Sequence, residues 1–275
     1  MQSLESELER ARDLDTDDLA DAIETIGFEC TRCGACCKSA EPDSADGRVA
    51  SDAERPSDRA SGDSREQTAA SPDAEADEPH TATVFPDEVR ALQDATDYDW
   101  RDVARPMPYG LDGGDGAADE SSGTEPTGET FEWALQTDAC GDCVFYEEGE
   151  ATESPHGDGE AVGADGTGAC TVHDDRPLIC RTYPFSVALG GTSQPMGEAV
   201  DEEGVVRAHE CEGLGRDISR EDAEDLAAAL KERAVRELEE AIGVRDEYEP
   251  AHPDEGVVVH DSEGAKRPDG SVYDG

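Results

Sequence analysis

Nine cysteines carry the chemistry open to this chain: Cys30, Cys33, Cys36 and Cys37 in one short run, then Cys140, Cys143, Cys170, Cys180 and Cys211. A thiolate is a soft ligand suited to zinc, copper(I) and iron-sulfur clusters. Two residues between cysteines let a tight turn aim both sulfurs at one centre. Cys30, Cys33 and Cys36 repeat that spacing. Two other uses of cysteine compete with this one. Inert buried thiols are usually scattered rather than spaced, and disulfides need an oxidising compartment and normally an even count. The spacing therefore predicts a thiolate metal site.

Cys37 complicates a single centre, because neighbouring side chains diverge by about 100° on a helix and nearly 180° on a strand. It serves a second centre, or joins the first through irregular backbone. A Cys36–Cys37 disulfide is disfavoured, since adjacent Cα atoms lie ~3.8 Å apart, below the usual ~4.4 to 6.8 Å. Two tetrahedral centres would use eight of the nine cysteines, or fewer if His173 or His209 contributes nitrogen. Taken alone, each of those histidines reads more readily as an exposed polar residue than as a ligand.

Arg176 and Arg181 bracket Cys180 and supply the only local positive charge, while Pro177 and Pro184 stiffen the backbone on either side. Four thiolates around a divalent ion leave net negative charge, which such arginines could offset by hydrogen bonds to sulfur. The alternative is that both pair with Asp174, Asp175 or other surface carboxylates.

These cysteines must be placed by modest elements. Leu19, Ile23 and Ile26 recur at helical spacing behind a cap at Asp15 or Thr16, with Gly27 as the stop, so residues 1–27 form an N-terminal helical segment. Residues 39–83 hold one large aliphatic side chain, Val49, and are predicted to be a disordered acidic insertion. Order resumes at Val84. Pro86 opens a short helix containing Val89 and Leu92, and Trp100 and Tyr109 are available for packing. Residues 110–130 and 147–168 read as loops. Phe131, Trp133 and Leu135 alternate with polar neighbours as a brief strand leading to Cys140. The cysteine-cluster domain thus comprises 28–38 and 84–218. A C-terminal helix over 219–243 is capped by Ser219, carries Leu226, Leu230, Ala234, Leu238 and Ile242 on one stripe, and ends at Gly243. The stripe fits packing on its own domain better than a coiled-coil partner. The acidic tail, 244–275, is loop-like, with Val257, Val258 and Val259 as a candidate edge strand.

Composition narrows the class further. The chain has 275 residues, 35% apolar and 5% aromatic, with 70 acids against 22 bases for a net charge of −48. Three lysines (Lys38, Lys231 and Lys266) and no asparagine resemble the proteomes of organisms that keep molar salt in the cytoplasm. At about 1 M salt the Debye length is only ~3 Å, so the surplus charge is tolerable. The acidic surface offers no basic stripe for a nucleic-acid backbone. No apolar run approaches the ~18 residues of a membrane span, and residues 1–9 lack a secretory signal pattern. A cytoplasmic protein is expected, where free thiols persist and are open to metal.

The cysteine motifs resemble the YkgJ family of zinc- or iron-chelating cysteine-cluster domains. Its opening Cys-x2-Cys-x2-Cys-Cys is similar to Cys30-Thr-Arg-Cys33-Gly-Ala-Cys36-Cys37. Its second half is similar to Cys143-Val-Phe-Tyr146, then Cys170, Arg176-Pro177, Cys180-Arg181 and Tyr183-Pro184-Phe185, and finally Cys211-Glu-Gly-Leu-Gly215. The resemblance spans about Phe28 to Gly215 and departs at Cys140, which is additional, and at His173, where the family usually has Tyr. It implies bound zinc or iron, the latter as ions or an iron-sulfur cluster, and leaves activity open. A flagellin lysine N-methylase shares the cluster, so an iron-sulfur enzyme of methyl transfer or redox is one alternative. A binding module with purely structural zinc is another. No protein partner is indicated, and the common nucleotide-binding, zinc-protease and serine-hydrolase fingerprints are missing. The expectation is a small, irregular α+β domain, cysteine-rich and metal-stabilised, with flanking helices.

Overall fold

The computed structural model describes residues 3–39, 80–112, 126–147, 169–189, 199–201, 204–253 and 255–275. Most of the predicted acidic insertion, and most of the 110–130 and 147–168 loops, lie outside the described residues. Within them the fold is α+β, with six α-helices and four small sheets. No helix there is long and apolar enough to cross a membrane.

Helix α1 (Leu4–Arg12) and helix α2 (Thr16–Ile26) form the N-terminal segment. The Asp15 side chain caps α2 by accepting from the backbone N–H of Asp17 and Asp18, and Gly27 closes the helix, both as the pattern predicts. Residues 80–83, read from sequence as insertion, instead belong to the packed structure. Thr83 bridges to Ala134, Ala82 is buried, and the His80 N–H donates to the Gly141 carbonyl at 2.8 Å. One histidine, one alanine and two threonines carry little apolar signal, so partner backbone rather than hydropathy orders this stretch.

Helix α3 (Pro86–Ala95) and helix α4 (Trp100–Val103) follow, leading into β1 (Ala104–Pro106) and β2 (Leu111–Asp112). Trp100 packs as expected against Trp133, ring centroids 5.1 Å apart, but Tyr109 is exposed. Strand β3 (Thr127–Thr130) occupies the end of the predicted 110–130 loop, and β4 (Trp133–Leu135) is shorter than the alternating pattern, leaving Phe131 exposed. Strands β5 (Tyr146–Glu147) and β6 (Ala169–Cys170) pair antiparallel, and helix α5 (Leu178–Thr182) carries Cys180. Strands β7 (Phe185–Val187), β8 (Ala199–Asp201) and β9 (Val206–His209) make a three-stranded sheet.

Helix α6 (Arg220–Glu247) is longer than predicted. It runs through Gly243, which is a packing residue and not a stop. A Cβ built there would lie 2.6 Å from the Ser262 Cβ, so the missing side chain admits the turn after β10 (Val257–Asp261). Strand β10 is no edge strand either. It lies between β11 (Gly264–Lys266) and β3, parallel to β3 and antiparallel to β11, with Val258, Val259, His260 and Asp261 buried. A run of three valines suits a strand covered on both faces.

Two small cores replace one large one. Leu19, Ile23, Phe185, Val206, Leu230 and Leu238 centre the first, so the Leu stripe of α6 packs within its own chain. Val89, Leu92, Trp133, Leu135, Phe145 and Val259 centre the second, which also contains Cys37 and Cys143. Arg233, with its side chain 1% exposed, joins α6 to the Cys180 segment. It donates to Glu237 at 2.7 Å, the Thr182 hydroxyl at 3.0 Å and the Phe185 carbonyl at 3.4 Å.

Candidate metal centre

The first cysteine run follows α2 as irregular backbone. Arg32 (φ 55°) and Gly34 (φ 74°) are left-handed, and residues Ala35–Cys37 form one 3-10 turn. The left-handed steps interrupt regular helix and strand here, so neither period sets the side-chain directions of this run. The adjacent Cys36 and Cys37 are split by exposure, the first exposed and the second buried, yet their thiols lie close enough to shift each other's pKa.

Backbone pairing then brings distant cysteines to this turn. The Cys143 N–H donates to the Cys37 carbonyl at 2.7 Å, and the Ser39 N–H donates to an Asp142 carboxylate oxygen at 2.7 Å. Cys170 enters through its pairing with Tyr146 and the 2.8 Å bond from the Thr171 N–H to the Phe145 carbonyl. Cys180 arrives on α5, whose Leu178 N–H donates to the Glu88 carboxylate at 2.8 Å. On the other side, Phe28 bridges to Leu214, and the Glu29 N–H donates to the Gly213 carbonyl at 3.0 Å, which sets Cys30 beside the Cys211 loop.

Two sulfur groups result. Cys36, Cys37, Cys143, Cys170 and Cys180 line one cavity of about 430 Å³, whose mouth includes Cys30. The Cys37 side chain lies beside both Cys36 and Cys170. That contact lowers the Cys36 thiol to about 7 and also lowers Cys170, while it raises Cys37. Burial pushes Cys143 up to about 12 and Cys180 well above the usual thiol range, helped by the charge that neighbouring sulfurs would carry. The second group is Cys30, Cys33 and Cys211. Burial holds the Cys211 thiol up, and charge on Cys33, Cys36 or Cys30 would raise it further.

All nine cysteines are free thiols, but they are not all gathered. Cys140 is exposed in a turn, where its N–H donates to Asp138, and it does not line the cavity. It is therefore set apart from the predicted ligand set, because that turn faces outward. Arg176 lines the cavity and donates from Nε to the His173 carbonyl at 2.8 Å; its charge favours the thiolates of Cys36 and Cys170. Arg181 is exposed and does not line the cavity, whereas Arg176 does, so Arg176 is the better placed of the two to compensate sulfur. His173 lines the cavity, with Nδ1 3.3 Å from Asp174 and Nε2 buried without a partner. His209 is buried on β9 with Nε2 2.9 Å from the Ser186 hydroxyl, outside the cavity.

Two wall residues escaped the sequence reading as site residues. His80 lines the cavity with its Nε2 buried and unpartnered, and it ends a stretch whose composition gave no hint of order. Tyr183 also lines it, its hydroxyl donating to the Glu210 carbonyl next to Cys211. Only its place in the Cys180-Arg-Thr-Tyr-Pro string marked it.

No family model, curated protein or solved structure matches this chain. The chemistry of the donor set is what bears on a metal. Among the described residues, no three Cys, His, Asp or Glu side chains already surround one point closely enough to hold an ion. Six of the cysteines nonetheless line one cavity. Close, partly buried thiols resist ionisation together, and a cation removes that penalty. The residues present fit a thiophilic ion or cluster.

Proposed function

We propose that this chain is a metal-binding cysteine-cluster protein holding zinc or iron, the iron as ions or as an iron-sulfur cluster. One observation carries the reading: Cys30, Cys36, Cys37, Cys143, Cys170 and Cys180, drawn from segments far apart in sequence, line one cavity. Cys36, Cys37, Cys143, Cys170 and Cys180 would supply one set of thiolates, and Cys30, Cys33 and Cys211 a second. Arg176 would offset the surplus negative charge. The similarity of the motifs to the YkgJ family belongs to the same proposal, as do a reducing, cytoplasmic setting and metal-stabilised folding.

Bound metal would act first as a crosslink. The two sulfur-bearing segments come from opposite sides of the acidic insertion, and each belongs to a small core. Structural zinc in small domains contributes an apparent ~10 to 16 kcal/mol, comparable to the whole stability of a domain.

A second reading, an iron-sulfur enzyme, is favoured by the size of the cavity. About 430 Å³ is far more than the ~30 Å³ share of one water molecule, so a small substrate would fit beside the sulfurs.

Anaerobic purification with elemental analysis and acid-labile sulfide assay tests both readings. The expected result is stoichiometric zinc in colourless protein, or iron with sulfide in brown protein. Cys37→Ser and Cys180→Ser should lower metal content, and Cys140→Ser should leave it unchanged. Wild-type protein free of transition metal would refute the proposal, and so would equal losses in Cys140→Ser and Cys180→Ser.

A further inference from the structure

A second cavity, of about 500 Å³, lies away from the sulfurs, between α4, β1 and the segment after β11. Its charged lining reverses the composition of the chain. The protein has 70 acids against 22 bases, yet among the described residues Arg101, Arg105 and Arg267 line this cavity with one carboxylate, Glu255.

Those guanidiniums are also little used. Arg105 spends one terminal nitrogen on the His80 carbonyl at 2.8 Å, while its Nε is buried without a partner. Arg101 has its nearest carboxylate, Asp269, at 3.9 Å, beyond hydrogen-bonding distance. Arg267 donates to the Val272 carbonyl and lies over the Tyr273 ring at 5.4 Å. Among the described residues neither Arg105 nor Arg267 forms an ion pair. In so acidic a chain, three arginines that line one cavity with no carboxylate within hydrogen-bonding distance among the described residues are open donors. A guanidinium presents five N–H groups in a planar fork that matches a carboxylate or phosphate. Pro268 and Tyr273 give the same cavity a flat, partly apolar wall.

We propose that this cavity binds a small organic anion, its carboxylate or phosphate group held by Arg101, Arg105 and Arg267 and its body packed on Pro268 and Tyr273. The site shares no lining residue with the sulfur cavity, so anion binding is read separately from metal content.

Isothermal titration of the full-length, metal-loaded protein with phenyl phosphate and with phthalate, at one fixed ionic strength, tests it. The expected result is one saturable site per chain for at least one probe, the tighter probe identifying the head group. Arg101 and Arg267 are exposed, so the Arg101→Ala/Arg267→Ala double variant should keep its circular dichroism and lose at least tenfold in affinity. If that variant misfolds, Arg267→Lys keeps the charge but loses the fork, and should weaken binding several-fold. Arg12→Ala, which removes a guanidinium paired with Glu239, should leave affinity unchanged. Absence of saturable binding of either probe would overturn the proposal. So would wild-type affinity in the arginine variants, or an equal loss in Arg12→Ala.

Discussion

The backbone N–H of Cys143 donates to the carbonyl oxygen of Cys37 at 2.7 Å, and this bond splices the two cysteine-bearing halves of the chain together. Both residues are buried in the same small core as Phe145, Val172 and Ile179. The sulfur cavity is therefore an extension of that core, and its chemistry and its packing respond together to substitution.

Thiol reactivity should follow the contacts among the sulfurs. In metal-free protein at neutral pH, the exposed Cys36, lowered to about 7 by its contact with Cys37, is substantially thiolate, whereas Cys143 at about 12 is almost wholly protonated. Alkylation with iodoacetamide, followed by peptide mass spectrometry, should modify Cys36 well before Cys143 and Cys180. Equal rates at all three would show that the contact does not operate.

Gly243 tests the reading of helix α6. Alanine gains about 1 kcal/mol over glycine in a helix interior, but here its Cβ would lie 2.6 Å from the Ser262 Cβ and 3.1 Å from the Ser262 Cα. Overpacking of this kind costs roughly 1–3 kcal/mol, so the clash should exceed the propensity gain. Gly243→Ala should lower the denaturant midpoint; a rise would mean that the turn after β10 yields freely.

Arg233 is a buried cation tied to Glu237, Thr182 and Phe185. Breaking a buried pair by removing one partner typically costs about 3–5 kcal/mol. Arg233→Ala should therefore be strongly destabilising in chemical denaturation, and the loss should loosen the Cys180 segment. Hydrogen exchange at residues 178–187 should quicken more than exchange in α3. Unchanged stability would show that the network is dispensable.

His80 sets a pH dependence. Burial, with the nearby Arg105 charge, lowers its pKa from 6.5 to about 4, so the folded state prefers the neutral ring. Between those values the unfolded chain binds the extra proton, and stability falls as pH drops. The contribution is fully present above about 6.5, is lost as pH falls toward 4, and is on the order of 3 kcal/mol. Comparing wild type with His80→Gln across this window isolates it. Identical pH slopes would show that His80 titrates normally.

Much of the local structure was legible because it depends on neighbours in sequence. The Asp15 and Ser219 caps, the Gly27 stop, Pro86 at the start of α3 and the stripe of α6 each express short-range hydrogen bonding or helical periodicity. What misled was residue type without context. Gly243 reads as a helix end unless Ser262 is known to press against it, and Val257–Val259 reads as an edge until β3 and β11 are seen on either side. The order of residues 80–83 comes from Trp133, Ala134 and Gly141, which no local pattern announces.

The sequence by itself determined which atoms could do chemistry: nine thiols at set spacings, Arg176 close to Cys180, and a strongly acidic overall charge. Tertiary structure alone decided which thiols meet. Spacing fixes neighbours only along the chain, whereas backbone pairing at Cys37–Cys143, Tyr146–Cys170 and Phe28–Leu214 fixes them in space. That is why Cys140, three residues from Cys143, stands outside the cavity that Cys36 and Cys180 share across the length of the fold.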